Sequence, residues 1–210
     1  MVKEHRLLMM AMESDDALEI ISAVKQIINN CLLDKIDVDT LPTVDIELLF
    51  THLRAKSIGE TVDMRYKCTN EIEGVPCGKP FSITINLLED VQIKNDKFET
   101  KIELSDKVGM IMRLPSLAFS SSAESNTPDD LDLIVECIEC IYDADGVYNS
   151  KDATKEELIE FIENMNEIQY TKVSDFFNNT PYIFTEKSHT CTKCGYEHNM
   201  RLEGIADFFM

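Results

Sequence analysis

The 210-residue sequence predicts an α+β fold in which an antiparallel β module, built from two distant hairpins, joins a mostly α-helical body. Apolar residues recur at helical spacing near the N-terminus and again after a serine-rich stretch. Between these parts, and once more near the C-terminus, apolar and polar residues alternate as they do in half-buried strands. Each alternating part is interrupted by a pair of cysteines.

Two helices are predicted before the first strand. The first covers about 15–34, with Asp15 or Asp16 as its N-cap. Cys31 falls within the apolar pattern of this helix and is expected to be a packed thiol, because free cysteine is among the most buried residue types. The second helix ends at the KSIGE stretch, and its apolar residues are Ile46, Leu49, Phe50 and Leu53.

The period of the pattern then changes from helical spacing to two. The segments ETVDMRYKC and KPFSITINLL are predicted to form a strand pair, and the loop between them has Cys68 at one end and Cys77 at the other. Two more strands are expected in KFETKIEL and VGMIMRL. Near the C-terminus, PYIFTEKSHTC and YEHNMRLEG predict a second hairpin, with Cys191 and Cys194 at its tip.

A serine-rich segment, PSLAFSSSAESNTPDD, is predicted to be a linker. After it, PDDLDLIVECIECIYDADG predicts one helix that opens near Pro128, ends at Gly146 and carries its acidic residues on one face. The segments DATKEELIEFIENMNEI and TKVSDFFNN predict two further helices. The predicted regions are an N-terminal helical region (1–58), a β region with the first cysteine hairpin (59–115), the linker (116–127), an acidic helical block (128–180), and the second cysteine hairpin with a C-terminal tail (181–210).

The charge of the chain limits its partners. It has 39 acidic and 20 basic residues, a formal net charge of -19, and such a field repels phosphate backbones. Nucleic-acid binding is therefore not expected. The sequence shows neither a secretory signal pattern nor an apolar run long enough for a membrane span, so synthesis in the cytosol is expected. Because the cytosol keeps thiols reduced, the seven cysteines are interpreted as thiols or metal ligands.

The two hairpin-tip pairs together supply four thiolates. Cys68, Cys77, Cys191 and Cys194 are therefore predicted to hold one structural Zn²⁺ in a zinc-ribbon-like site, with no position open for catalysis. A glycine follows the second cysteine of each pair, where a positive φ would turn backbone N–H groups toward sulfur. The spacing of the first pair is wider than usual. Four reduced thiols on unrelated turns, or a ligand set that includes His189 or His198, are the alternatives.

A second Cys-x-x-Cys pair, Cys137 and Cys140, is predicted to lie in mid-helix, with Cys137 in the apolar arc and Cys140 at its border with the acids. Packing is the favoured interpretation, and a redox pair or a second metal site is the alternative. A redox pair would be expected at a helix N-terminus, where the thiol pKa is lowered. The sequence contains no phosphate-binding glycine loop, nucleophile elbow or zinc-protease motif, so no enzymatic activity is expected.

Residues 38–66, VDTLPTVDIELLFTHLRAKSIGETVDMRY, form a recognisable unit. This unit resembles the baseplate hub protein family of T-even-type contractile-tailed bacteriophages. The similarity continues through CGKPFSITINLLEDVQI to the C-terminal cysteine pair. The resemblance implies a non-enzymatic protein needed to form the central hub of the tail baseplate, with other hub and tail proteins as partners. It implies the host cytoplasm during assembly, and the virion tail baseplate, as locations.

The resemblance leaves open whether the protein is a component of the hub or an assembly factor. A second class of function is a zinc-ribbon adaptor of phage transcription or replication machinery. The net charge disfavours direct DNA contact by such an adaptor, although an acidic adaptor could still bind a polymerase.

Overall fold

A computed structural model describes residues 6, 17–33, 36–95, 97–116 and 130–209 of the chain. It contains helices and antiparallel sheets, which confirms the predicted α+β class. The chain divides into two compact units. The first contains Met1–Ile36, Val44–Lys94 and Tyr182–Met210, and the second contains Asp37–Thr43 and Asn95–Pro181. The larger segment of the second unit, Asn95–Pro181, therefore lies along the chain between the two predicted cysteine hairpins.

The first unit begins with helices α1 (Ala17–Cys31) and α2 (Thr43–Ser57), where α2 starts one residue before the unit itself. Helix α1 is shorter than the predicted 15–34, and its predicted caps lie outside the described residues. Helix α2 buries Ile46 and Phe50, as its pattern predicts. The strands of this unit are β1 (Thr61–Lys67), β2 (Glu71–Ile72), β3 (Val75–Pro76), β4 (Pro80–Asn86), β5 (Gln92–Lys94), β10 (Tyr182–Thr190) and β11 (Glu197–Glu203).

These strands form two antiparallel sheets and one small hairpin. β1 pairs with β4, from Thr61 opposite Asn86 to Lys67 opposite Pro80. β10 pairs along one edge with β11 and along the other with β5, giving the order β11-β10-β5. β2 pairs only with β3 among the described strands. A short C-terminal helix, α6 (Gly204–Phe209), follows β11 directly.

The second unit contains a four-stranded antiparallel sheet of order β6-β7-β8-β9. Its elements are β6 (Lys101–Glu103), β7 (Gly109–Met112), α3 (Asp130–Cys137), β8 (Ile138–Tyr142), β9 (Val147–Asn149), α4 (Lys155–Glu163) and α5 (Glu167–Asn178). Met110, Met112, Ile138, Ile162 and Val173 are almost fully buried in one core of sheet and helix residues. Capping boxes at Thr154 and Asn166 begin α4 and α5.

The prediction of one continuous helix from Pro128 to Gly146 is wrong. Helix α3 ends at Cys137, and the next five residues form β8, which pairs with β7 and β9. The segment IECIY also fits a period of two, because Ile138 and Cys140 are buried while Glu139 is exposed. Asp143 then accepts hydrogen bonds from the backbone N–H groups of Asp145 and Gly146, which closes a turn rather than a helix.

Two further predictions change as a result. The body combines helices with a four-stranded antiparallel sheet, where the sequence predicted mostly helix. The acids Glu136, Glu139 and Asp143 lie on a helix, a strand and a turn, so they do not form one helical face. Cys137 and Cys140 are both buried, as the packing interpretation predicts, but they lie at the end of a helix and on a strand rather than in mid-helix. The predicted linker after Ser116 lies outside the described residues.

Candidate metal centre

The four predicted ligands come from the ends of two long strand pairs. Cys68 directly follows β1, and its N–H donates to the carbonyl of Lys79 at 2.8 Å. Cys77 precedes β4 and donates its N–H to the carbonyl of Asn70 at 2.8 Å. At the end of the other pair, the N–H of Cys191 donates to the carbonyl of Tyr196 at 2.8 Å. The strand ladders therefore continue to the base of each cysteine turn.

The four sulfur atoms lie together, all within 4.8 Å of one another. Cys68 Sγ is 3.6 Å from Cys194 Sγ, and Cys77 Sγ is 3.9 Å from Cys191 Sγ, so each close pair joins the two hairpins. Zinc–sulfur bonds of about 2.3 Å in a tetrahedron place neighbouring sulfurs about 3.8 Å apart. Disulfides need a sulfur–sulfur distance of about 2.05 Å, and all four cysteines are free. The donor set and its spacing fit a tetrahedral metal ion.

The glycine after each pair has the backbone conformation predicted for it. Gly78 has φ +60° and Gly195 has φ +73°, both in the left-handed region that favours glycine. The N–H of Gly78 donates to the carbonyl of Cys68 at 3.2 Å, and that of Gly195 to the carbonyl of Cys191 at 2.9 Å. These bonds close the turns and leave neighbouring N–H groups pointing at sulfur.

Backbone hydrogen bonds to sulfur stabilise the thiolate form on the second hairpin. The N–H of Tyr196 is the main reason that the pKa of Cys194 falls to about 6. The N–H groups of Cys194 and Lys193 lower the pKa of Cys191 in the same way. Thiolates are the metal-binding form of cysteine, so this turn is prepared for a cation.

Burial has the opposite effect on the first hairpin. It raises the pKa of the Cys68 thiol to about 12, although the N–H of Asn70 lowers it in part. A thiol with so high a pKa ionises near neutral pH only when a cation compensates its charge. The pKa values of Cys68 and Cys194 are thus displaced in opposite directions, by burial and by backbone N–H groups respectively.

His198, which the sequence offered as an alternative ligand, also reaches the sulfur cluster. Its Nε2 lies 3.2 Å from Cys68 Sγ, and its side chain is buried. It can donate to a Cys68 thiolate when the imidazole proton is on Nε2. His198 is not among the four atoms that all lie within 4.8 Å of one another, so it contacts a ligand and completes no ligand set itself.

Phe81 connects the two hairpins beside the cluster. Its ring stacks on His189 with centroids 4.2 Å apart and an interplanar angle of 2°, and it lies 5.1 Å from the His198 ring. His189 and His198 are cross-strand partners on β10 and β11, so one aromatic ring from β4 contacts both. This aromatic packing holds the cysteine turns in register with each other.

Lys193 provides a positive charge next to the cluster. Its Nζ donates to the backbone carbonyl of Cys77 at 2.9 Å, which brings the ammonium of one hairpin onto the turn of the other. Four thiolates around a divalent cation carry a net negative charge, and a nearby cation offsets part of it. Sequence reasoning gave no role to Phe81, Lys193 or Asn70. Only the histidine contacts had a signal in the sequence, because one histidine flanks each side of the C-terminal cysteine pair.

Within the described ranges, no helix combines the length and apolarity needed to cross a bilayer.

Comparisons with known proteins identify a family and a relative of this chain. A family model described as T4 bacteriophage base plate protein matches residues 1–210. The chain is 25% identical over 187 residues to the baseplate hub assembly protein gp26 of Enterobacteria phage T4, covering 89% of this chain and 79% of gp26. No solved structure matches the chain.

Proposed function

Because the chain belongs to the T4 bacteriophage base plate protein family, as the resemblance of residues 38–66 indicated, we propose that it is a non-enzymatic protein that helps to form the central hub of the tail baseplate. The family match over the whole chain carries this proposal. The similarity to a baseplate hub assembly protein supports the hub, rather than another part of the baseplate, as the place of action.

The proposed partners are other baseplate hub and tail proteins, which the chain meets in the host cytoplasm during assembly. A net charge of -19 supports a protein partner over a nucleic acid, because the field attracts basic protein surfaces and repels phosphate. The protein acts as a resident of the hub or as a factor that leaves after assembly.

A phage that encodes this chain, with a stop codon in its gene, tests the hub role. Without the protein, tails are expected to lack a complete baseplate, and expression of the wild-type chain in the host should restore infectious particles. Mass spectrometry of purified virions then distinguishes a resident component from a transient factor. Normal yield of infectious phage without the protein would contradict the proposal.

The second part of the proposal is that Cys68, Cys77, Cys191 and Cys194 hold one structural Zn²⁺, in a zinc-ribbon-like module. The sulfur spacing of 3.6 and 3.9 Å across the hairpins supports it, because a tetrahedral site requires close to these distances. With four thiolates the ion would have no open position, so its role would be to hold the hairpins together. The close pairs join residues 126 and 114 positions apart in sequence. By analogy with a covalent cross-link, closing a loop of this length stabilises the folded state by about 5 kcal/mol, because it reduces the conformational entropy of the unfolded chain.

Metal analysis of the natively purified protein tests the zinc site. We expect one zinc per chain, released when a thiol reagent modifies the four cysteines. Cys191→Ser should lose the zinc and most of the stability that it confers. The matched control is Cys140→Ser, which also replaces a buried thiol and should keep the zinc while losing only about 1 to 3 kcal/mol. Iron in place of zinc, or four freely titrating thiols with no metal, would contradict the proposal.

A further inference from the structure

The loop between Cys68 and Cys77 is longer than a metal site needs. Eight residues separate these cysteines, whereas two separate Cys191 and Cys194. Two to four are usual between paired zinc ligands. The additional residues fold as a separate hairpin of β2 and β3, which pair only with each other among the described strands. We name residues 69–76 the finger.

The finger has a defined conformation. Glu73 and Gly74 form its turn with φ +51° and +80°, the two positive values of the tight hairpin turn that matches strand twist. At its base, the N–H of Cys77 donates to the carbonyl of Asn70 at 2.8 Å. Because Cys68 and Cys77 are also the proposed metal ligands, the base of the finger is fixed on both sides. Little conformational entropy would then be lost when the finger binds a partner.

Two apolar side chains occupy the tip. Ile72 and Val75 are directly opposite each other across the turn, so both lie on the same face of the hairpin. Ile72 is 41% exposed and Val75 is 66% exposed. A two-residue hairpin turn needs neither side chain, and polar β-formers such as threonine would fold equally well there. The two exposed β-branched side chains therefore give one face of the hairpin a small apolar surface that a partner could cover.

The charges around the tip indicate the chemistry of the partner. Glu71 and Glu73 flank Ile72, and the finger contains no lysine or arginine. A second copy of this acidic chain would repel the tip, whereas a basic surface would attract it.

We propose that the finger is a docking element that inserts Ile72 and Val75 into an apolar pocket with a lysine- or arginine-rich rim on another baseplate protein. This inference rests on the proposed baseplate function and names the surface through which that function would act. The proposed zinc ion supports it by fixing the base of the finger.

The binding experiment uses the full-length zinc-containing protein and a panel of the other baseplate proteins of the same phage, each purified separately. Biolayer interferometry measures the affinity of each pair. Replacing both Ile72 and Val75 by Ser should weaken binding to one panel member about tenfold or more. The matched control is Val147→Ser, which changes a 64% exposed valine on β9 of the other unit and should bind as wild type.

A charge variant tests the basic rim. Glu71→Lys combined with Glu73→Lys should weaken the same interaction and reduce its dependence on salt. Zinc content and melting temperature of every finger variant are measured first, so that a loss of binding is not a loss of the site.

The outcomes separate this inference from the function on which it rests. If the wild type binds a panel member and the Ile72/Val75 variant binds it equally well, the docking element is overturned while the baseplate proposal stands. If the wild type binds no panel member, both the proposed partner class and the finger as its docking element are rejected. If sedimentation shows a dimer that the Ile72/Val75 variant dissociates, the occupant is a second copy, and the stated occupant is wrong.

Discussion

His198 and Cys68 come from different hairpins and meet at 3.2 Å in a buried position. A hydrogen bond from a neutral imidazole to a thiolate reduces the negative charge on the sulfur atom and fixes the orientation of the thiolate. Residues that contact metal ligands in this way commonly change metal affinity 10- to 100-fold when they are removed. The contact of this one histidine should therefore affect the zinc affinity of the proposed site.

We predict that His198→Phe reduces zinc affinity by about tenfold while the chain still folds with zinc bound. The phenyl ring keeps the aromatic packing against Phe81 but cannot donate to Cys68 Sγ. Competition with a chromophoric chelator measures the affinity. The control is His189→Phe, whose ring stacks on Phe81 and should leave affinity unchanged. Equal losses in both variants would assign the effect to packing rather than to the hydrogen bond.

The glycines of the cysteine turns matter for the same site through the backbone. Gly195→Ala is expected to cost about 1 to 2 kcal/mol of folding free energy, because its φ of +73° is unfavourable for an L-residue. No atom lies within 4 Å of the added Cβ, so the cost is conformational and not steric.

Gly146→Ala is the matched control for the glycine prediction. This glycine also has nothing within 4 Å of an added Cβ, but it has no positive φ. Its replacement should leave stability unchanged or raise it slightly. Thermal melts of both variants with zinc present measure the difference. Equal melting temperatures for the two would mean that the turn tolerates a side chain and that the positive φ is not required.

At the scale of elements, a carboxylate of α2 contacts the C-terminal helix α6. Glu47 on α2 accepts the N–H of Ile205 at 3.3 Å, and Phe208 on α6 is fully buried. Burial raises the pKa of Glu47 from its ordinary value of 4.5 to about 7, which the Ile205 hydrogen bond only partly opposes. This junction therefore holds an acid that prefers its neutral form.

The direction of the pH effect follows from the raised pKa. The folded chain keeps the Glu47 proton up to about pH 7, whereas the unfolded chain releases it near 4.5. The stabilising contribution of the neutral acid is complete below about pH 4.5 and is lost as the pH rises to 7. Glu47→Gln should therefore become more stable than the wild type by about 2 to 3 kcal/mol at pH 8.

Chemical unfolding at several pH values between 5 and 8, with zinc saturating, checks the Glu47 prediction. The cysteines titrate in both proteins, so their contribution cancels in the difference between the two curves. The two curves should converge toward pH 5 and separate toward pH 8. Parallel curves over this range would show that Glu47 is ionised in the folded protein at all of these pH values.

At the scale of the whole molecule, the chain has two compact units, both with buried apolar residues. The second unit has its own apolar core, which includes Met110, Ile138, Ile162 and Val173. The first unit contains the cysteine cluster, which brings together segments that the Asn95–Pro181 part of the second unit separates in sequence. Structural zinc contributes about 10 to 16 kcal/mol to the folding of isolated zinc-binding peptides, which exceeds the total stability of many domains.

We therefore predict that removing zinc with a chelator loosens the first unit and leaves the second folded. Amide hydrogen exchange should accelerate in the β1–β4 and β10–β11 pairs, because their cysteine turns would lose the proposed ion that joins them. The β7–β8 pair should keep its protection. Mass spectrometry of exchanged peptides measures both regions in one sample, and zinc added back should reverse the change. Loss of protection in β7–β8 as well would show that the two units unfold as one.

Several properties of this protein follow from local sequence pattern. Strands β1, β4 and β11 alternate apolar and polar residues. A glycine after a cysteine is also a local signal for a positive φ, so the sequence alone predicts both cysteine hairpins. The segment 130–142 shows where local pattern is insufficient. IVECIECIY satisfies a helical period, whereas burial alternates over its Ile138–Cys140 part, and pairing of Ile138–Tyr142 with β7 decides the strand.

The contacts around the cluster depend on tertiary structure for a different reason. The sequence places His198 on a strand and Phe81 on another, but it does not specify how the two sheets face each other. Only their packing brings Nε2 of His198 to Cys68 and the Phe81 ring onto His189. Side-chain periodicity is a property of one strand, whereas a contact between hairpins depends on the relative position of two sheets, which residues far apart in the chain determine together.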